Sequence, residues 1–184
     1  MLYFFKSYSI FGISFFIFLI FSLCFIIRFN YYSPVDNSDI SYTISSSGFV
    51  WPTPNCSQIT SPFGYRHSPF TGKIAYHSGI DIGAPQGTNV LSAFSGTVTY
   101  IGFSGPNGFT IRISNGDFEA TYSHLSSNFI VYVGQPVFIG DVIAIVGPKN
   151  VYSVPNNPYK DSNGNPTNGS TTGPHLHFSL KKGR

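Results

Sequence analysis

The chain has 184 residues and a formal net charge of +3, with 9% charged and 17% aromatic residues. This length corresponds to about one domain. The few positive charges are scattered along the chain, which excludes the basic surface that nucleic-acid-binding proteins need. With so few charges, the surface is expected to be neutral and rich in Tyr, Ser, Asn and Gly.

The first predicted element is a membrane anchor over residues 10–27. This stretch contains no charged residue and no proline, and about 20 apolar residues are enough to cross a bilayer as a helix. A cleaved signal peptide would end in small residues, and no such site precedes Arg28. Lys6 and the amino terminus favour a cytoplasmic position for the tail, residues 1–9. The sequence thus predicts a single-pass protein of the cell membrane whose remaining residues lie on the extracytoplasmic side.

Residues 28–48 are predicted to form a flexible linker. They are rich in Tyr, Ser, Asn and Asp and show no sustained periodicity. A flexible segment spans about 5–6 Å times the square root of its residue number. It would therefore hold the following domain, residues 49–184, away from the bilayer.

Residues 49–184 show the pattern of an all-β domain. Short apolar runs alternate with Gly, Pro and Asn, and no stretch has the periodicity of an amphipathic helix. Strands are expected at residues 90–94, 97–101, 109–113, 118–122, 129–133, 142–146 and 176–180. Asn115-Gly116, between two of these runs, predicts a tight hairpin. The expected fold is a set of small antiparallel β-sheets that form a sandwich or an open barrel.

Four of the five histidines lie in short motifs with the composition of a metal site. His77 and Asp81, and likewise His175 and His177, are separated by an even number of positions. An extended chain would place each pair on one face of a strand. Imidazole and carboxylate groups suit zinc, and three protein ligands leave one position for water in a catalytic site. These motifs predict a zinc hydrolase.

Two further segments are ambiguous at this stage. Tyr122 would share a strand face with His124, so it is expected either to line the site or to pack in the core. Residues 148–172 are rich in Asn, Pro, Ser, Gly and Thr, and loops of this length are usually functional or disordered. Because this segment leads into His175, it is either a surface insertion or a wall of the substrate groove.

Six motifs follow one another in a fixed order between residues 51 and 180. They are Ile59-Thr-Ser-Pro-Phe-Gly-Tyr-Arg66, His77-Ser-Gly-Ile-Asp81, Gly96-Thr-Val98, Tyr122-Ser-His124-Leu125, Gly140-Asp-Val-Ile-Ala144 and Thr172-Gly-Pro-His175-Leu-His177-Phe178. Together they resemble the lysostaphin-type zinc endopeptidases of bacterial cell walls, peptidase family M23. The resemblance implies that residues 49–184 form such a metallopeptidase domain.

The resemblance also implies roles for five residues. One Zn²⁺ ion would be held by His77, Asp81 and His177. His124 and His175 would be the catalytic histidines that transfer protons and stabilise the oxyanion, and the sequence does not decide which of them is the general base. A zinc-activated water would then hydrolyse the peptide cross-links of peptidoglycan.

Two features depart from the pattern of the family. The loop 148–172 is longer than the usual connection before the His-x-His strand. The chain stops at Arg184, soon after the last motif, so this strand is expected at a sheet edge or against a partner. Some members of this family have lost metal ligands and only bind partners, so the alternative function is a catalytically silent scaffold or activator of other wall hydrolases, with a protein partner at the cell envelope. Arg66 and His67 are expected to be loop residues without a catalytic role.

Overall fold

The structure, a computed structural model, describes residues 41–183. The predicted tail, anchor and most of the linker lie outside these residues. Within the described range, no helix is long and apolar enough to cross a membrane. Its regular elements are a single 3₁₀ turn at Gly105–Asn107 and eleven strands: β1 Ile59–Ser61, β2 Gly64–His67, β3 Ile74–His77, β4 Ile80–Ile82, β5 Asn89–Leu91, β6 Gly96–Phe103, β7 Phe109–Ser114, β8 Phe118–Ser123, β9 Pro136–Val137, β10 Val142–Ile145 and β11 Leu176–Lys182.

Seven of the strands form one sheet in the order β1-β4-β11-β8-β7-β6-β9. Two further sheets have two strands each, β10 with β5 and β2 with β3. All neighbours are antiparallel. The prediction of an all-β fold with antiparallel pairing is confirmed, with one sheet larger than the small sheets expected.

The last strand, β11, lies inside the large sheet. It pairs with β4 on one side and with β8 on the other. The expectation that it forms a sheet edge is therefore wrong. The reason is that β4 and β8 are distant in the sequence, and no local pattern indicates that they flank β11.

The core is built from alternate residues of the central strands. Ile111 and Ile113 of β7, Tyr122 of β8 and Leu176 of β11 are fully buried. They pack with Ile82 and with apolar residues from the strands and loops that cover this face: Val90, Leu125, Ile143 and Val146. Burial of a large aliphatic side chain contributes about 1.5–3 kcal/mol, so this face holds the strands that carry the site in register.

Most of the predicted strands are present, and one is not. The β7–β8 hairpin closes at Asn115 and Gly116, where Asn115 Oδ1 accepts the backbone N–H of Phe118 at 2.9 Å and Gly116 has a φ of 93°. The strand predicted at residues 129–133 is wrong. Here the chain turns instead, with Gly134 at a φ of 88°, because the N–H of Gln135 donates to the carbonyl of Tyr132 at 3.1 Å and the N–H of Gly134 donates to the carbonyl of Val98 at 2.8 Å.

Candidate metal centre

Three side chains from different strands meet at one point of the sheet surface. His77 ends β3, Asp81 is the middle residue of β4, and His177 is the second residue of β11. His77 Nε2 lies 2.9 Å from His177 Nδ1 and 3.1 Å from Asp81 Oδ1. His177 Nδ1 lies 2.9 Å from the same oxygen. The three atoms therefore form a nearly equilateral triangle.

His77 and Asp81 reach this point by a different route from the one predicted. They are not on one face of a single strand, because Ser78 and Gly79 form a bend between β3 and β4. β3 belongs to the small hairpin with β2, whereas β4 belongs to the large sheet. The even spacing of His77 and Asp81 is therefore not the reason that they meet, because a bend lies between them.

Nearby backbone groups fix the direction of the imidazole rings. His77 Nδ1 donates to the carbonyl oxygen of Pro62 at 2.8 Å, which leaves the lone pair of Nε2 directed at Asp81 and His177. A Cβ atom on Gly79 would lie 2.9 Å from His177 Nε2 and would collide with the carbonyl oxygen of Phe178. Glycine at position 79 therefore allows β11 to approach the bend that joins β3 to β4.

The chemistry of these three groups fits a metal ion. In a tetrahedral zinc site, ligand atoms about 2.0–2.2 Å from the metal lie about 3.3–3.5 Å from one another. The observed separations of 2.9–3.1 Å are a few tenths of an ångström shorter. Within the described part of the chain, this is the one group of His, Cys, Asp or Glu side chains with ligand atoms close enough to hold an ion.

Asp81 is the charged member of the cluster. Burial alone would raise the pKa of Asp81, but hydrogen bonds and charge from His175 and His177 outweigh it and hold this pKa well below its usual range. Burial lowers the pKa of His77. The carboxylate is therefore ionised and His77 has a free lone pair at neutral pH, which are the states that bind a metal ion.

His124 and His175 lie beside the triangle without belonging to it. Their ring centroids are 4.6 Å apart, and the His124 ring is 6.2 Å from that of His177. His175 Nδ1 lies 2.9 Å from the carbonyl oxygen of Gly173, while its Nε2 is 3.5 Å from Asp81 Oδ1. The structure thus brings all five predicted site residues together. Three of them, His77, Asp81 and His177, form the triangle, and the other two lie beside it.

The backbone at His124 explains why Tyr122 does not join the site. β8 ends at Ser123, and His124 has a φ of 61°, a left-handed conformation that breaks the alternation of a strand. Tyr122 consequently points into the core, where it is fully buried and its hydroxyl accepts the N–H of Ala93 at 2.8 Å. Of the two expectations for Tyr122, packing in the core is the one observed.

Asn168 is a residue of the site that the sequence did not reveal. Its side chain accepts the N–H of Phe109 at 2.8 Å and donates to the carbonyl oxygen of Leu125 at 2.9 Å. The backbone carbonyl oxygen of Asn168 accepts a hydrogen bond from the Nδ1–H of His124 at 2.7 Å. These bonds fix both the turn at His124 and the plane of its ring. A lone asparagine in a polar loop has no periodicity, so no sequence pattern could single it out.

The two glycines beside Asn168 leave room for this contact. A Cβ on Gly108 would collide with the carbonyl and side-chain oxygens of Asn168, and one on Gly147 would collide with the carbonyl of Leu125. Asn168 itself is fully buried. The end of the loop 148–172 is therefore packed into the domain.

The centre lies in an open groove of about 400 Å³. One wall comes from the β2–β3 hairpin, including Tyr76, and another from Pro106 and Asn107 in the 3₁₀ turn. Ser170 and Thr172 of the loop form part of the lining. These contacts support the interpretation of this loop as a wall of the groove.

Arg66 and His67 lie side by side on β2 and differ in what they contact. His67 Nδ1 bonds to the carbonyl of Gly72 within the hairpin at 2.9 Å. Arg66 instead extends into the groove, where its Nη2 lies 3.7 Å from Asp81 Oδ2. The sequence-based expectation of a plain loop residue is therefore too simple for Arg66.

Comparison with known proteins places this domain among the metallopeptidases of the lysostaphin type. The chain belongs to peptidase family M23, whose family model matches residues 75–184. It is 37% identical over 127 residues to the DD-carboxypeptidase/endopeptidase Mpg of Neisseria meningitidis, which covers 68% of this chain and 24% of that protein. It is 32% identical over 125 residues to the peptidoglycan DD-endopeptidase ShyB of Vibrio cholerae, covering 67% and 25%.

The solved structures agree with this assignment. A zinc-containing peptidase from Vibrio cholerae has a TM-score of 0.55 and 26% sequence identity, and the match covers 77% of this chain and 43% of the other. The chain spans about a quarter of the length of the two curated relatives. Family membership is therefore established for the domain that carries the site.

We expect Asn168→Ala to lower the free energy of unfolding by about 2 to 4 kcal/mol, because the N–H of Phe109 and the carbonyl of Leu125 would each lose a buried partner. Catalysis should fall as well, since His124 would lose its fixed turn. Urea denaturation measures the first effect. Asn163→Ala, at an exposed position of the same loop, is the matched control and should change neither quantity.

The stability of the metal-free protein should depend on pH through His124. Burial, together with the neighbouring His175, lowers the pKa of His124 to about 3, against 6.5 in an unfolded chain. Between these values the unfolded state binds the extra proton, so stability is lost as the pH falls below about 6.5. The loss from this group is about 1.4 kcal/mol per pH unit.

His124→Asn tests this expectation, because asparagine also adopts the left-handed conformation of that position. Denaturation of the metal-free variant at a series of pH values should show a shallower slope than the unaltered protein between pH 4 and 6.5, as roughly one titrating group is removed. An identical slope in both proteins would show that His124 does not account for the acid sensitivity.

Proposed function

We propose that this protein is a membrane-anchored zinc metalloendopeptidase that hydrolyses peptide cross-links of bacterial peptidoglycan. The observation that supports the proposal is that three side chains have ligand atoms close enough to hold a metal ion and that two further histidines lie in the same groove. A metal site with a purely structural role has four protein ligands. Here three ligands converge and two imidazoles flank them, which is the composition of a hydrolytic centre.

His77, Asp81 and His177 would hold the ion, and a bound zinc ion would supply Lewis-acid activation of a water molecule and of the scissile carbonyl. The ligand set of two imidazoles and one carboxylate matches zinc chemistry. The solved structure from Vibrio cholerae described above is that of a zinc-containing peptidase, which supports the choice of metal.

His124 and His175 would transfer the protons. His124 Nδ1 donates to the carbonyl of Asn168, so in the neutral ring Nε2 is an acceptor that faces the groove. His175 is oriented in the same way by Gly173. The pair can take up a proton from the attacking water, donate to the developing oxyanion and return a proton to the leaving amine.

The names of the relatives support the substrate. One is a DD-carboxypeptidase/endopeptidase and another a peptidoglycan DD-endopeptidase. The groove is open and mostly neutral, lined by hydroxyl, imidazole and aromatic groups, which suits a peptide strand lying across it. Peptide bonds of the bacterial wall are thus the proposed substrate class.

The main experiment compares two histidine variants of the full chain. His177→Ala should lose a ligand and reduce zinc from about one ion per chain to almost none. His175→Ala should keep its zinc but hydrolyse wall material about 10²- to 10⁴-fold more slowly, the usual contribution of general acid–base catalysis. Metal analysis and mass spectrometry of muropeptides released from purified wall measure the two quantities.

Asn163→Ala is the control, because Asn163 is exposed and lies outside the groove, and it should retain both zinc and activity. Chelation should abolish hydrolysis in every active form. Intact muropeptides after prolonged incubation with the zinc-loaded chain would instead support the alternative, a silent scaffold or activator that binds a partner at the cell envelope.

The proposed location is the cell membrane, with residues 10–27 as a single span and the peptidase domain on the extracytoplasmic side. The apolar, uncharged character of this segment supports the proposal. We expect the full chain to stay with membranes after an alkaline carbonate wash and to be digested by protease added to intact spheroplasts. A chain that begins at residue 28 is the control and should be soluble. Recovery of both forms in the soluble fraction would rule out the anchor.

A further inference from the structure

A second cavity of about 470 Å³ adjoins the groove described above. Both cavities are lined by Arg66, Asp81, Thr172 and His175. The second extends beyond His175 along β1 and the segment that precedes β11. A ligand bound at the metal centre can therefore continue into it, so the second cavity is in position to receive a part of the substrate close to the reacting bond.

Arg66 is the distinctive residue of this cavity. Among the described residues that line either cavity, it is the single lysine or arginine. Its side chain is 25% exposed, so it is neither fully enclosed nor free in solvent. A permanent positive charge in a partly desolvated position favours an anion as ligand.

The protein uses few of the hydrogen-bond donors of Arg66. A guanidinium group has five N–H donors. Nε is buried with no partner in the described part of the chain, and Nη1 reaches the carbonyl of His67 at 3.4 Å. Nη2 lies 3.7 Å from Asp81 Oδ2, well beyond the 2.7–2.9 Å of a charge-assisted hydrogen bond. The group therefore retains capacity for another acceptor.

The remaining lining is suited to an anion. Thr60, Ser61 and Thr172 add hydroxyl groups, and Asp81 is the one carboxylate among the described lining residues. Asp81 Oδ1 faces the three histidines, so part of its charge is already engaged there. A planar carboxylate matches the fork of a guanidinium and can accept two parallel hydrogen bonds from it.

We propose that the second cavity is a binding site for a carboxylate group of the peptide substrate, with Arg66 as its partner. This inference rests on the proposed peptidase activity and narrows its substrate class to peptides with a free carboxylate within one or two residues of the scissile bond. Arg66 lies near Oδ2 of Asp81, and His77 and His177 lie near Oδ1 of the same carboxylate. Because one extended residue spans only about 3.3–3.6 Å, the bound carboxylate can be no more than one or two residues from the scissile bond.

A competing explanation is that Arg66 merely orients Asp81 for metal binding. The long distance between Arg66 Nη2 and Asp81 Oδ2 disfavours it, since a residue that fixes a ligand makes a short hydrogen bond to it. The two explanations also predict different effects of substitution. Loss of a positioning residue would weaken zinc binding, whereas loss of a substrate-binding residue would affect only ligands that carry the carboxylate.

The test uses one synthetic wall stem peptide in three matched forms. In the first all carboxylates are free, in the second the terminal α-carboxylate is an amide, and in the third the side-chain carboxylates are amides. Binding to the zinc-loaded full chain is measured by calorimetry in a His175→Ala background, which prevents turnover. Hydrolysis by the chain with His175 intact is measured in parallel. The variants are Arg66→Gln and, as the matched control, Arg112→Gln on β7, outside both cavities.

One of the two amidations should weaken binding by about 10- to 100-fold, the range of a charge-assisted hydrogen bond. Arg66→Gln should bind the free form as weakly as that amide and should leave the affinity for the amide and the zinc content unchanged. Arg112→Gln should retain the full discrimination. An Arg66→Lys variant, which keeps the charge but loses the fork, should fall between the two.

Three results would overturn the proposal: equal binding of all three forms, discrimination that survives Arg66→Gln, or loss of zinc from that variant. The proposed peptidase activity fails separately. If the peptides bind with the expected dependence on Arg66 and no form is hydrolysed by the chain with His175 intact, the carboxylate site stands and the catalytic role is rejected.

Discussion

The pairing of β11 with both β4 and β8 determines the geometry of the whole site. His177 lies opposite Asp81 on one side and opposite Ser123 on the other, so two of the candidate ligands and the residue before His124 are fixed by the same set of backbone hydrogen bonds. A shift of one residue in this register would turn His177 into the core and Leu176 out of it. The burial of Leu176 therefore stabilises the position of the metal centre.

The non-ligand histidines depend on a different kind of constraint. They lie outside the strands, where no ladder fixes them, and each is oriented by a backbone carbonyl from the loop 148–172 or its end, Asn168 and Gly173. The candidate site thus combines side chains fixed by the sheet with histidines fixed by a loop. Buried polar side chains such as Asn168 take the place of regular structure there, because each unsatisfied partner would cost about 1–3 kcal/mol.

The sequence predicted the site better than it predicted the path of the chain to it. Motif order named five residues that the structure brings into one groove, since the residue types His and Asp follow from metal chemistry whatever the strands do. The bend between His77 and Asp81, the left-handed residue at His124 and the central place of β11 were missed. Each depends on contacts between segments that are far apart in the sequence, and periodicity carries no information about such contacts. Arg66 and Asn168 were missed for the same reason.

The two ends of the long loop are hydrogen-bonded to each other. Asn168 donates its N–H to the carbonyl of Lys149 at 2.8 Å, and Val151 donates to that of Pro166 at 3.0 Å. The chain between these points starts and ends at almost the same place, and part of it packs back on the domain, since Asn157 is buried and donates to the carbonyl of Thr167 at 2.8 Å. Its exposed positions, such as Asn163, can therefore vary without moving His124 or His175. Chains related to this one can therefore differ in this segment while the arrangement of the two histidines is preserved.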